Sequence, residues 1–337
     1  MSLRIFLHIP LLLTMLWGCQ GPAPTEMEEI DSAFEWTDPS TAFAYPGPYA
    51  EGDSLLGEQA LDFLDGFAQG DLSSFPYPIA DSIKVSLLDE PVFVILGKDF
   101  KSYLQGFHHR FLKVEYEAFN VRTAYNISFK THMSFCFGRW QYTTKDGNLD
   151  DRYGTFVLVL DSLGRMNTLS EWGACWPTNS PIPFHPNSDP RSFHFYSPTK
   201  LGTQKTAVMA VNAVQSLHAM DSVRSHSDMA DSVQLTTSCG LNQHLSKFDI
   251  GRLSYHYEPF IGVYPISVIP FYMKRQKEEI VHVMDYESFV EDGAVRRYSY
   301  FRTFIFDASH KIRTILVQRR LVPNSVDWTW QRAPIKP

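Results

Sequence analysis

Ala80-Asp81-Ser82-Ile83-Lys84-Val85 returns later in the chain as Ala230-Asp231-Ser232-Val233-Gln234-Leu235, displaced by 230 − 80 = 150 residues. Its surroundings return with it. Asp146-Gly147 recurs as Asp292-Gly293, and Asp161-Ser162-Leu163-Gly164-Arg165 as Asp307-Ala308-Ser309-His310-Lys311, both displaced by 292 − 146 = 146 residues. Solenoid repeats run to about 50 residues, so a period this long means two whole domains in tandem. Length agrees: 337 residues exceed the roughly 250 to 300 at which one hydrophobic core stops growing.

Within each copy the apolar period changes from helical to extended. Leu56, Ala60, Phe63, Leu64 and Phe67 share one helical face, as do Ala207, Val208, Val211, Val214 and Leu217. A strand follows the Ala-Asp motif, over 83–87 or 233–236, and then another helix, over 98–111 in the first copy and shorter near 241–248 in the second. Long β segments close each copy: 114–125, 128–144, 151–160 and 165–172, against 252–263, 279–290, 295–306 and 311–321. Asp146-Gly147 and Asp292-Gly293 sit where strands reverse, and a tight hairpin favours Gly at positive φ. The fold class is therefore α+β, with each copy a curved antiparallel sheet wrapped around helices. Pro177, Pro181, Pro183, Pro186, Pro190 and Pro198 fall between the copies, in a stretch that suits neither helix nor central strand.

Before the first copy, Arg4 supplies a short positive region, and Ile5 to Trp17 is an apolar stretch of 13 residues, too short to span a bilayer as a helix but suited to a signal peptide. Leu16-Trp17-Gly18-Cys19 resembles a bacterial lipobox, with Trp17 where a smaller residue is usual. The resemblance implies a lipid on Cys19, and two or three acyl chains hold a protein stably at a membrane. Residues 20–52 carry Pro22, Pro24, Pro39, Pro46 and Pro48 with Glu26, Glu28, Glu29 and Asp31, a composition that reads as a tether. Gln20 after the Cys favours outer-membrane sorting, and the early acidic residues resemble export signals of Bacteroidetes surface lipoproteins. The expected organisation is a signal peptide over 1–18, a tether over 19–52, domains over 53–175 and 203–323 joined by a Pro-rich linker over 176–202, and a tail over 324–337. The expected location is the cell envelope, on a periplasmic or surface-facing outer membrane lipoprotein.

Gly66-Phe67-Ala68-Gln69-Gly70-Asp71-Leu72-Ser73-Ser74-Phe75, leading to Ala80-Asp81-Ser82-Ile83, resembles the opening of the SnoaL-like group of the nuclear-transport-factor-2-like superfamily. The second copy is similar at Asp221-Ser222-Val223 and Ala230-Asp231-Ser232-Val233, without the Gly. The resemblance implies a conical α+β fold with a pocket between sheet and helices. It does not choose among isomerases, cyclases, dehydratases and proteins that only bind.

An isomerase of this fold uses a carboxylate base with an oxyanion hole of Tyr and a protonated Asp. Tyr116 and Tyr125 lie on strands of the first copy; Tyr257, Asp285 and Tyr286 are candidates to line the second pocket. Alternation puts His282 and Tyr286 on one face of their strand and Asp285 on the other. If Asp285 faces the pocket it is a carboxylate in an apolar setting, with Arg139 at the equivalent place of copy one (285 − 139 = 146). His132, among apolar neighbours, is a pocket base or a satisfied core residue.

The sequence has no metal-ligand spacing, no nucleophile elbow and no phosphate-binding loop, so no cofactor and no metal is expected. A net charge of −7 without a basic patch argues against nucleic acid. The expected partners are the membrane, through Cys19, and a small apolar ligand or an envelope protein. With Cys19 lipidated, Cys136, Cys175 and Cys239 remain, enough for one disulfide at most. Three classes stay open: a non-enzymatic binding or interaction module; an isomerase, cyclase or dehydratase acting on a small apolar molecule; and a covalent pseudo-dimer whose two sheets pack on each other. Pockets filled by aromatic side chains would count against catalysis.

Overall fold

A computed structural model describes residues 33–34, 49–73, 75–88, 90, 92–175, 199–219, 227–237, 242–253, 260–274, 276–291 and 294–322. The expectations for Cys19, Tyr257, Cys239 and the signal peptide lie outside these residues.

The first sheet contains β1 (Ala33–Phe34), β2 (Tyr49–Glu51), β3 (Ile79–Ser86), β4 (Phe93–Leu96), β5 (Phe111–Asn126), β6 (Thr131–Thr144), β7 (Leu149–Leu160) and β8 (Met166–Cys175), in spatial order β1-β2-β5-β6-β7-β8-β3-β4. Helices α1 (Ser54–Gln69) and α2 (Gly97–His108) lie on one face of it. The second sheet contains β9 (Thr199–Leu201), β10 (Met229–Thr237), β11 (Asn242–Ser246), β12 (Phe260–Met273), β13 (Glu278–Glu291), β14 (Ala294–Phe306) and β15 (Ile312–Val322), in order β11-β10-β15-β14-β13-β12-β9. Its helices are α3 (Gln204–Ala219) and α4 (Lys247–Leu253). The two orders superimpose, with β9 in the place of β2.

Helix α1 follows from its sequence. Asp53 caps it by accepting from the Leu55 N–H, its apolar stripe is buried, and Gly70 ends it at φ +70°, with the Gly70 and Asp71 amides closing on the carbonyls of Phe67 and Gly66. In the hairpin between β6 and β7, Gly147 takes φ +86°. The repeated Ala-Asp-Ser motif has a structural meaning. Both sheets are mixed rather than purely antiparallel, because β3 runs parallel to β8 and β10 parallel to β15, each pair being joined through intervening elements. In both pairs the register slips across the motif, between Ile79 and Lys84 and between Met229 and Gln234. The motif is where each strand arches away from its parallel neighbour.

Other expectations shift. The strand expected over 252–263 is β12, Phe260–Met273. It tolerates its prolines because Pro265 sits at a register shift against β13, and Pro270 offers its carbonyl to the Gly202 N–H at 3.0 Å. Tyr49–Glu51, read as the end of the tether, is β2, and Thr199–Leu201, read as linker, is β9. Tyr49 is buried, and its hydroxyl lies 2.6 Å from Ser267 Oγ of the other sheet.

The contact between sheets is extensive. Tyr49, Ala124, Met133, Phe135, Val157 and Trp172, on the face of the first sheet turned away from α1 and α2, belong to one apolar cluster with the second sheet and α3. Phe135 meets Phe271 and Phe301 at ring distances of 5.8 and 6.2 Å, and Trp172 meets Phe301 at 5.9 Å. Arg320 stacks on Trp172 at 3.9 Å and reaches the hydroxyls of Ser86 and Ser170. The expectation of two sheets packed on one another is met.

Candidate functional site

The face of the first sheet that meets α1 and α2 is filled by rings. Tyr116 stacks on Trp140 at 4.8 Å, Trp140 meets Phe156 at 4.2 Å, and Phe156 meets Phe67 of α1 at 6.3 Å. Phe63, Phe100 and Phe107 belong to the same buried cluster. The Tyr116 hydroxyl donates to Asp65 Oδ1 at 2.7 Å, and the Tyr142 hydroxyl to Glu171 Oε2 at 3.2 Å. Burial first, and the adjoining carboxylate second, hold both phenols far above their ordinary range, so they act as donors and stay protonated. Tyr125 and His132 face each other across β5 and β6, ring centroids 4.6 Å apart. His132 Nδ1 is buried without a hydrogen-bond partner. Cys136, on the same helix-facing side, is a buried free thiol pushed far up by desolvation.

The second sheet is built differently on its helix side. Among the described side chains, the buried face of α3 carries Ala207, Met209, Ala210, Val211, Ala213 and Val214, with no aromatic ring. Opposite it, Val281, Val283, Asp285 and Glu287 of β13 alternate, in register with Phe304, Arg302, Tyr300 and Tyr298 of β14. Asp285 is fully buried and accepts a hydrogen bond from Arg302, whose other terminal nitrogen donates to Glu287. Arg302 lies 4.1 Å from the Tyr300 ring, and Arg319 5.0 Å from the Tyr298 ring. Desolvation pulls the Arg302 pKa down, but Asp285 and Glu287 more than offset it, and the pKa is raised. Arg302 thus binds one oxygen of each carboxylate, a charge-assisted contact that ties both side chains to a permanent cation.

The sequence candidates therefore part company. Tyr116, Tyr125 and His132 belong to the helix side of the first sheet, and Asp285 to that of the second. Arg139 faces away from the helices, forming a bidentate pair with Asp151 at 2.9 and 2.6 Å. His282 and Tyr286 lie on the face of β13 turned toward the seam. The expected equivalence of Arg139 and Asp285 is corrected by one residue. Thr131 and Glu278 open β6 and β13 and are 278 − 131 = 147 residues apart, whereas Val159 and Ile305, which pair with Met133 and Ile280, differ by 305 − 159 = 146. The second copy has one residue fewer between these strands: Glu291 pairs with Ala294, whereas the Thr144 amide bonds to the Asn148 carbonyl. Asp285 thus corresponds to Gly138. A slip of one residue exchanges the faces of a strand.

Arg302, Glu287 and Asp65 escaped the sequence reading. Arg302 had a signal, since a guanidinium inside the run Tyr298-Ser299-Tyr300-Phe301-Arg302-Thr303-Phe304 requires a partner. Asp65 had none, being one acidic residue among several on an amphipathic helix. A groove of about 600 Å³ lies beside the start of α3 and the β14–β15 turn, lined by Gln204, Lys205, Asn212, Asp228, His310 and Lys311 among others. Among the described residues no three His, Cys, Asp or Glu are grouped to hold a metal, and no helix is long and apolar enough to cross a membrane.

No family model matches the sequence, and no curated protein matches it. Solved structures similar to parts of it include an NTF-2 like protein of unknown function from Burkholderia xenovorans, at 14% identity over 40% of this chain and 95% of that one, with a TM-score of 0.28. A putative polyketide cyclase from Xanthomonas campestris aligns at 14% identity over 34% of this chain and 90% of that one, with a TM-score of 0.26. The Orange Carotenoid Protein of Anabaena aligns at 13% identity over 34% of this chain, with a TM-score of 0.28; the alignment spans 36% of that protein.

Proposed function

We propose that the chain is a non-enzymatic binding protein of the cell envelope, held at the outer membrane by a lipid on Cys19, in which the second sheet and its helices meet the ligand or partner. The observation that carries this reading is the commitment of four of the candidates to structural contacts. Asp285 is tied to Arg302, His282 is enclosed between the sheets, Arg139 is paired with Asp151, and Tyr116 is packed against Trp140 with its hydroxyl on Asp65. The rings on the helix side of the first sheet favour support over binding. The second sheet has far fewer rings on its helix side and adjoins the groove beside Lys205 and Lys311.

Isomerases, cyclases and dehydratases that work through an enol or enolate move a proton at carbon. The full chain in deuterated buffer is expected to add no deuterium to simple enones beyond the buffer rate. Exchange that is catalysed by the wild type and lost in Asp285→Asn would overturn the reading. The anchor is tested separately: a palmitate analogue is expected to label the wild type and not Cys19→Ser, and label persisting in that variant excludes Cys19 as the anchor.

A further inference from the structure

Arg122 sits mid-strand in β5, opposite Phe135 of β6, on the face turned toward the second sheet, and only 7% of its surface is exposed. Its Nη1 donates to His282 Nε2 at 2.6 Å across the seam. A guanidinium has no lone pair to offer, so His282 Nε2 is the acceptor and its proton resides on Nδ1, which donates to Thr303 Oγ1 at 3.0 Å. His282 is thereby neutral. Burial, and next the charge of Arg122, drive its pKa well below the ordinary value.

Nothing comparable balances Arg122. Its Nε is buried with no hydrogen-bond partner, no carboxylate among the described residues pairs with it, and desolvation alone lowers its pKa to about 10. The contrast within the molecule is sharp: Arg302 lies between Asp285 and Glu287, and Arg139 is bidentate on Asp151. An uncompensated buried cation is strongly destabilising. With Nη1 engaged by His282, the free edge of Arg122 is Nε with Nη2, two parallel donors in one plane, the fork that takes a carboxylate in bidentate fashion. Beyond His282, the rings of Phe135, Phe271 and Phe301 stand 5.3, 5.5 and 4.9 Å from the imidazole, which makes the seam apolar and unsuited to a multiply charged, strongly hydrated anion.

We propose that the Nε–Nη2 edge of Arg122 is a binding site for a monocarboxylate at the seam between the two sheets, with His282 fixing the guanidinium from the opposite side. The site is independent of whatever the second sheet binds. Occupancy stabilises the packed state of the two sheets, because the ligand supplies the charge that the protein leaves out.

The test uses the full chain in a non-ionic detergent at pH 7.5, with sodium chloride replaced stepwise by sodium formate at constant ionic strength. The unfolding midpoint is expected to rise with formate along the curve of a single binding site. Arg122→Met is expected to remove the rise, and Arg122→Lys, which keeps the charge and loses the fork, to weaken formate at least tenfold. Line broadening of ¹³C-formate by the wild type reads binding without reference to variant folding. Butyrate, compared with formate, distinguishes the head of a longer acid from a free small carboxylate, and either order of potency supports the site. A flat midpoint with no line broadening, or a formate response in Arg122→Met equal to that of the wild type, overturns it.

Discussion

Arg302 holds two buried carboxylates, and the energetics of that arrangement are asymmetric. Desolvating three charges is expensive, and their mutual attraction recovers the cost only while all three are present. Arg302→Met leaves Asp285 and Glu287 buried side by side and is expected to lower stability by about 3–5 kcal/mol in urea titration. Neutralising all three, with Asp285→Asn and Glu287→Gln added, is expected to restore most of the loss. No recovery would mean that the guanidinium contributes by packing on Tyr300 rather than by charge. His282 supplies the complementary pH dependence. Its folded pKa lies well below 6.5, so the unfolded chain takes up the proton first. Stability from this group is complete above pH 6.5 and falls as pH drops below it, with a limiting slope of about 1.4 kcal/mol per pH unit. His282→Gln is expected to flatten the stability profile between pH 5.5 and 6.5, and an unchanged slope would assign the loss to other groups.

At the scale of elements, helix α1 and the hairpin turns depend on single backbone conformations. Gly70 ends α1 at φ +70°, and a methyl group there would stand 2.9 Å from the His108 ring. Gly70→Ala is expected to cost about 1–2 kcal/mol in denaturant titration, from the left-handed conformation alone. A loss below a few tenths would show that the helix end relaxes. The helical stripes, the Gly147 turn and the duplication were legible in the sequence, because each is written in local periodicity or turn chemistry. The sides of the strands were not. A displacement taken from the Asp-Gly turns carried over correctly to β7 and β8 but failed by one residue for β6, since the shortened connection lies at the turn itself. That slip moved Arg139 from one face to the other. Strand β12 was hidden by Pro265 and Pro270, whose tolerance depends on a bulge and a neighbouring strand that local sequence does not announce.

At the scale of the whole molecule, duplication without symmetry explains why the site candidates scatter. The two sheets present corresponding faces to one another: Phe135 of β6 and His282 of β13 occupy equivalent strand positions and meet at 5.3 Å. The copies have diverged where they touch, with Arg122 reaching His282 from one side and Arg320 reaching Ser86 and Ser170 from the other. The seam therefore joins two unlike faces. It also buries aromatic surface that either half alone would expose to water. Folding of the two sheets is therefore coupled, and tryptophan fluorescence and far-ultraviolet circular dichroism are expected to report one coincident transition in urea. Phe135→Ala, which empties a fully buried position touching Phe271 and Phe301, is expected to cost about 3–5 kcal/mol and to affect both halves through that single transition. Two separated transitions in the wild type, or a Phe135→Ala loss confined to the first of them, would mean that the sheets fold as independent units and the seam contributes little.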